Sequence, residues 1–163
     1  MEIERKYLIP ILPTDLETYP HHEIEQGYLN TSPVVRIRKQ DDDYFLTYKG
    51  GGLLAREEYN LPLNQTSYEH LRTKVDGNLI TKTRYLIPLT DLSWKDGFVC
   101  PADEKLTIEL DVFSSPLTLW MAEVEFSSLE MANAFIAPDW FGEDVTMNTD
   151  YHNSTMSRKH YDS

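Results

Sequence analysis

The chain has 163 residues, enough for one domain, and a formal charge of −12 from 15 Lys and Arg against 27 Asp and Glu. That balance argues against a general nucleic-acid binder, which needs a basic surface, and no apolar run is long enough for a membrane-spanning helix. A single cysteine, Cys100, excludes an intrachain disulfide; with the charged N-terminal stretch MEIERKYLIP it leads us to expect a reducing, cytoplasmic compartment.

Taken in order, the chain reads mostly as strands. Met1–Ile9 alternates and stops at Pro10. Glu23–Thr31 holds QGYLNT, Val34–Lys39 begins β-branched, and Tyr44–Lys49 follows an Asp-rich turn. Leu54–Leu63 comes after Gly50–Gly52, which reads as a hairpin turn because the GK[ST] ending of a phosphate loop is missing. A helix is expected over Thr66–Val75, ending before a cap at Asp76-Gly77. Leu79–Leu89 is rich in Ile, Thr and Tyr. Asp91–Ala102 reads as a long hairpin connection. Leu106–Phe113 and Leu119–Phe126 alternate cleanly. A second helix should start at a Ser128 cap and run to Ile136, and a short third is expected near Ser154–Arg158, followed by a fraying KHYDS tail. Many strands with turn residues between them indicate an antiparallel sheet or barrel. No linker, repeat or low-complexity run divides the chain, so 1–163 reads as a single domain.

The charges on these strands are ordered. Residues i and i+2 of a strand share a face. Arg36 and Arg38 therefore pair, as do Lys82 and Arg84, and Lys49 shares a face with Thr47. Glu109 with Asp111, and Glu123 with Glu125, make acidic pairs; Glu2, Glu4 and Lys6 share a face of the first strand. One such pair arises easily by chance. Strands that are nearly pure in sign do not resemble an ordinary wet surface, which interleaves charges. If these faces line an interior, carboxylates 4 Å apart repel by about 4 kcal/mol at an effective dielectric of 20. They must then protonate or hold a cation. Carboxylates without clustered His or Cys suit a hard ion such as Mg²⁺ or Mn²⁺, and a group of Arg and Lys suits a polyanion such as phosphate. Together these are the parts that phosphoryl transfer uses. Arg5, Lys39 and Glu57 have the opposite parity and should face outward. His21, His22, His70, His152 and His160 show no ligand spacing. Cys100 reads as inert, and Trp120, Trp140 and Phe141 as packing.

The motifs resemble a known family. Glu2, Glu4 and Lys6 form the E-x-E-x-K signature of CYTH domains, or triphosphate tunnel metalloenzymes. QGYL (Gln26–Leu29), VRIRK (Val35–Lys39), YFLTYKG (Tyr44–Gly50), REEY (Arg56–Tyr59), KTRY (Lys82–Tyr85), IELDVF (Ile108–Phe113), AEVEF (Ala122–Phe126) and DWFGEDVT (Asp139–Thr146) follow in the family's order. The resemblance implies a β-rich α+β fold, an eight-stranded antiparallel closed barrel forming a tunnel with a few flanking helices. It implies that Lys6, Arg36, Arg38, Lys49, Lys82 and Arg84 bind phosphates, and that Glu2, Glu4, Glu58, Asp111, Glu123 and Glu125 bind Mg²⁺ or Mn²⁺. Lys6 and Lys82 would also serve the chemistry. Tyr28 is either a proton acceptor or orienter of the attacking water, or a core anchor. The chain is most similar to short bacterial inorganic triphosphatases, acting on a small-molecule triphosphate, with a homodimer allowed for. A class IV adenylate cyclase acting on ATP and a non-catalytic polyphosphate- or nucleotide-binding module are the alternatives. Departures from the family pattern at Asn60, Thr81 and Asp150, and an insertion at Asp91–Lys105, bear on substrate preference and not on the fold.

Overall fold

The computed structural model describes residues 1–161; part of the KHYDS tail, Asp162 and Ser163, lies outside the described residues. Eleven strands are found among them: β1 (Glu2–Leu8), β2 (His21–Thr31), β3 (Val34–Gln40), β4 (Asp43–Lys49), β5 (Ala55–Arg56), β6 (Glu58–Leu63), β7 (Asp76–Leu89), β8 (Ser93–Trp94), β9 (Leu106–Ser115), β10 (Leu119–Glu125) and β11 (Phe135–Ile136). Nine of these form one sheet in the order β5-β1-β10-β9-β7-β2-β3-β4-β6, and all the registered pairs are antiparallel. The two edge strands are neighbours in the chain, separated only by Glu57. β5 pairs with β1 through Glu2 and Ile3, and β6 pairs with β4 along its length. The segment 55–63 thus brings the two ends of the sheet together in a nearly closed barrel. Nine strands by hydrogen bonding correspond to the eight expected, with Leu54–Leu63 broken in two. The break falls where Gly50 N–H donates to Glu57 O at 3.0 Å and Arg56 Nε donates to Gly50 O at 2.9 Å.

The apolar residues lie mainly on the outside of this barrel. Ile3, Tyr7 and Ile9 of the first strand region pack with Ile108 and Leu110 of β9 and with Ala122, Val124 and Phe126. Their cover is helix α2 (Leu129–Ala134), the two-stranded sheet β11-β8, and the 137–141 segment with Phe141. A smaller cluster, Tyr28, Val34, Ile80, Phe113, Met121 and Met156, fills one end of the lumen beneath helix α3 (Asn153–Arg158). Helix α1 (Gln65–Arg72) packs on β3 and β4. No helix among the described residues is long and apolar enough to cross a membrane.

Three expectations need correction. α1 ends at Arg72, not Val75: Thr73 caps it, with its hydroxyl bonded to His70 O at 2.7 Å, and Asp76-Gly77 instead opens β7. α2 starts at its Ser128 cap as expected but stops at Ala134, where Phe135 and Ile136 turn extended and pair with Trp94 and Ser93. Asp91–Ala102 is therefore no simple hairpin connection. It delivers Trp94 against Phe135 and Phe98 against Trp94, with ring centroids 5.8 and 4.8 Å apart.

Candidate active site

The inward faces of the strands enclose a cavity of about 260 Å³ whose wall is overwhelmingly polar. It follows from the two-residue period that Glu2, Glu4 and Lys6 project inward from β1, while Arg5 between them reaches out to Ala132 O, Asn133 and Asp144. Lys39 and Glu57 are likewise exposed. β1 lies beside β10 with Glu4 opposite Glu125 and Lys6 opposite Glu123. Across the barrel, β3 contributes Arg36 and Arg38, opposite Tyr28 and Gln26 of β2. β7 contributes Lys82 and Arg84, and β4 and β6 contribute Lys49 and Glu58, which face each other. The sequence alternation is interrupted at Tyr28, where β2 shifts register against both neighbours. Bulges of this kind re-aim a side chain, and the Tyr28 ring, 3% exposed, sits where the polar lumen meets the apolar end.

The charges divide into paired and unpaired groups. Lys49 bridges Glu2 at 2.8 Å and Glu58 at 3.3 Å. Lys6 lies 3.5 Å from Glu123, which also approaches Arg84 at 3.6 Å. Asp111 is fully buried and absent from the cavity wall. Arg84 grips both its oxygens, from Nε at 2.8 Å and from its terminal nitrogen at 2.9 Å, and Lys82 Nζ adds a third bond at 2.8 Å. Arg84 also donates to Glu109 at 2.9 Å. Among the described residues, Glu4, Glu125, Arg36 and Arg38 have no opposite charge within 4 Å. Arg38 donates only to the Gln26 amide, at 2.9 Å, and the buried Arg36 Nε has no hydrogen-bond partner.

These environments move the ionisations in opposed directions. Burial, Glu123 and Glu2 push the Glu4 carboxyl well above its ordinary range. Burial followed by Glu109 and Glu58 raises Glu125. Glu2 is pushed up to about 7 by burial and by its hydrogen bond with Glu58. Glu123 goes the other way: burial opposes its charge, but Lys6 and Arg84 hold it well down. On the basic side, burial and Arg36 bring Arg38 down to about 9. Lys82 falls to about 7, through burial and the neighbouring Arg84 and Arg38, although Asp111 opposes the shift. One wall thus crowds unpaired carboxyls around Glu4 and Glu125, and the other unpaired guanidiniums around Arg36 and Arg38.

Residues 1–113 match the CYTH domain, and the match includes β1 to β8 and most of β9. The chain belongs to the CYTH domain family. It is 38% identical over 161 residues, covering 96% of both chains, to an inorganic triphosphatase of Nitrosomonas europaea. It is 30% identical over 142 residues, or 83% of this chain and 80% of the other, to an inorganic triphosphatase of Acetivibrio thermocellus. The crystal structure of the inorganic triphosphatase NE1496 superposes with a TM-score of 0.65 at 34% identity, covering 98% of this chain and 96% of that one. A conserved hypothetical protein of Pyrococcus furiosus, at 18% identity and a TM-score of 0.54, shares the fold.

Within this CYTH domain, twelve of the thirteen residues singled out from sequence line the one cavity; Asp111 lies behind the wall. The cavity also holds residues that the sequence reading passed over: Arg56, Glu109, Thr146, His152, Asn153 and Ser154. Glu109 carried a readable signal, its shared parity with Asp111. The last four come from the C-terminal segment, beyond the stretch that matches the CYTH domain, and no strand period marks them. Burial and Lys6 lower the pKa of His152.

Proposed function

We propose that this chain hydrolyses inorganic triphosphate in the barrel lumen with the help of a divalent cation. The observation that carries the reading is one small cavity with unpaired carboxylates on one wall and unpaired guanidiniums on the other. Arg36, Arg38, Lys6, Lys82 and Arg84 would grip the phosphate oxygens, and Lys49 would tie that group to the acidic wall through Glu2 and Glu58. Glu4 and Glu125 are the carboxylates free to hold Mg²⁺ or Mn²⁺, with Glu2, Glu58 and Glu123 beside them. All are hard oxygen donors, and the carboxyls of Glu4 and Glu125 are raised by burial and, after it, by neighbouring carboxylates, a repulsion that a cation would relieve. No three His, Cys, Asp or Glu among the described residues converge into a preformed cage. Mg²⁺ commonly takes one or two carboxylates and completes its shell with phosphate oxygens and water. When bound, the ion would neutralise charge on the phosphate oxygens. Asp111 is better placed to anchor Arg84 and Lys82 than to hold metal. Water oxygen would attack a phosphorus as the bridging P–O bond breaks; the departing phosphate would keep the electron pair, and the proton given up by the water would pass to that phosphate or to solvent. Tyr28 and Lys82, at the boundary with the apolar end, are the groups we assign to orienting that water.

The same reading makes 1–163 one domain and a cytoplasmic enzyme. Phosphate release is measured with tripolyphosphate, ATP and thiamine triphosphate in parallel with a cyclic AMP assay. Turnover of tripolyphosphate that stops in EDTA and returns with Mg²⁺ or Mn²⁺ is the expected result. Cyclic AMP from ATP would overturn the reading in favour of a cyclase; binding without any turnover would leave a binding module.

A further inference from the structure

A chain of hydrogen bonds runs within the basic wall of the cavity, from Arg38 to Lys82. Arg38 Nε donates to Gln26 Oε1 at 2.9 Å, and Gln26 Nε2 donates to Asn153 Oδ1, also at 2.9 Å. The same Asn153 oxygen accepts from Lys82 Nζ at 3.3 Å. One amide oxygen at the start of α3 therefore connects a cation of β3, through β2, to a cation of β7.

We infer that Asn153 is a positioning residue: through it the C-terminal helix fixes the orientation and spacing of Arg38 and Lys82, and so sets the affinity of the cavity for triphosphate. The inference rests on the triphosphatase reading above. The chain of bonds is directional. Arg and Lys side chains only donate. Gln26 must turn its oxygen to Arg38 and its nitrogen to Asn153, and Asn153 must turn its oxygen to both Gln26 and Lys82. Flipping either amide sets donor against donor, so a single arrangement survives. The choice of amides also matters. Arg84 and Lys6 are held by carboxylates, which cancel much of their charge. An amide holds Arg38 in place and leaves its charge available to an anion.

The helix that carries Asn153 is itself fastened to the strand that carries Lys82. Asn78 Nδ2 of β7 donates to Met156 O at 3.0 Å and Lys159 O at 2.6 Å. Gly77 beside it, with φ of 73°, leaves room for the Ser157 carbonyl, which a Cβ would meet at 2.0 Å. Helix, bridge and strand are thus tied together by hydrogen bonds.

The test compares wild type, Asn153→Ala, Gln26→Ala, the double variant and Asn78→Ala. Tripolyphosphate binding is measured by calorimetry in EDTA, and KM, kcat and thermal midpoint are measured separately. We expect Asn153→Ala to weaken binding and raise KM by about tenfold, with a smaller fall in kcat through Lys82. The double variant should be little worse than the weaker single one, because both cut the same bridge. Asn78→Ala, which changes no residue of the cavity wall, should weaken binding in the same direction by a smaller factor, and it decides the question if Asn153→Ala does not fold. A purely structural Asn153 would lower the midpoint and leave the affinity of the folded protein unchanged, which overturns the inference. So does additivity of the two single variants. If the wild-type chain neither binds nor cleaves tripolyphosphate, the triphosphatase reading fails and this inference falls with it.

Discussion

Replacing Arg36 by methionine should make the protein more stable and a worse enzyme. Arg36 is 6% exposed, its Nε has no partner, and it adds to the repulsion felt by Arg38 and Lys49. Leaving a buried polar group unsatisfied costs about 1–3 kcal/mol. Methionine is unbranched and of similar reach, so it can fill the space without that penalty. With the lower half of the range recovered, a domain of this size gains about 2–4 °C in its midpoint per kcal/mol. Binding should suffer in the opposite sense. A guanidinium fork on a phosphate makes two charge-assisted bonds. At about 1.5 kcal/mol each, their loss weakens affinity roughly hundredfold. Thermal melts without ligand, paired with calorimetric titration of tripolyphosphate, separate the two effects. A variant that melts lower than wild type without ligand, or that binds tripolyphosphate equally well, would refute the claim that Arg36 is a stored charge waiting for an anion.

Strand parity makes a second prediction: Lys6→Ala should cripple turnover, whereas Arg5→Ala should keep kcat/KM and lose stability, because Arg5 ties β1 to Ala132 and Asp144 on the outside. Glu4→Gln and Glu125→Gln should each cost at least about 10²-fold in activity and shift the cation titration to higher concentration; full turnover in EDTA would remove the metal from the mechanism. The acid limb of stability should depend on Glu25. Burial opposes its charge, but hydrogen bonds from Arg72 and Tyr68 on α1 hold its carboxyl below the usual range. A depressed carboxyl stabilises the fold above the ordinary glutamate pKa of about 4.3 and stops doing so as the pH falls through its folded value. Wild type should therefore melt above Glu25→Gln at pH 6, and the two curves should meet on acidification; parallel curves would show that Glu25 contributes no such linkage. Finally, tripolyphosphate should exceed ATP in kcat/KM, since Val34, Leu53 and Tyr28 are the few apolar or aromatic surfaces on the lumen wall and offer little to a base.

Much of this arrangement was legible because a strand shows its faces at every second residue. Arg36 with Arg38, Lys82 with Arg84 and Glu123 with Glu125 could be placed together from spacing and sign. What spacing does not carry is depth and partner. Asp111 has the parity of an inward residue, yet three donors from Arg84 and Lys82 enclose it behind the wall, and only the β7–β9 register decides that. His152 and Asn153 reach the lumen from the start of a short helix whose position depends on Asn78 and Gly77, some 75 residues earlier in the chain. The end of α2 escaped for a similar reason. Local preference favours continuing the helix through Phe135, but pairing with Trp94 and ring contacts to Tyr7, Phe126 and Trp94 outweigh it.

The placement of the larger apolar cluster outside the barrel has a consequence for how the molecule can vary. In most domains the residues that hold the fold and those that meet a ligand compete for the same interior. Here the strands lend their odd and even positions to different purposes: Ile3, Arg5 and Tyr7 of β1 belong to the scaffold, and Glu2, Glu4 and Lys6 to the lumen. β10 divides in the same way between Ala122 and Val124 on one side and Glu123 and Glu125 on the other. The lumen can therefore be rewritten in charge, size or anion preference with the packing that maintains the barrel left untouched. A chain built this way is a chassis, on which a new specificity is a matter of alternate letters in a strand.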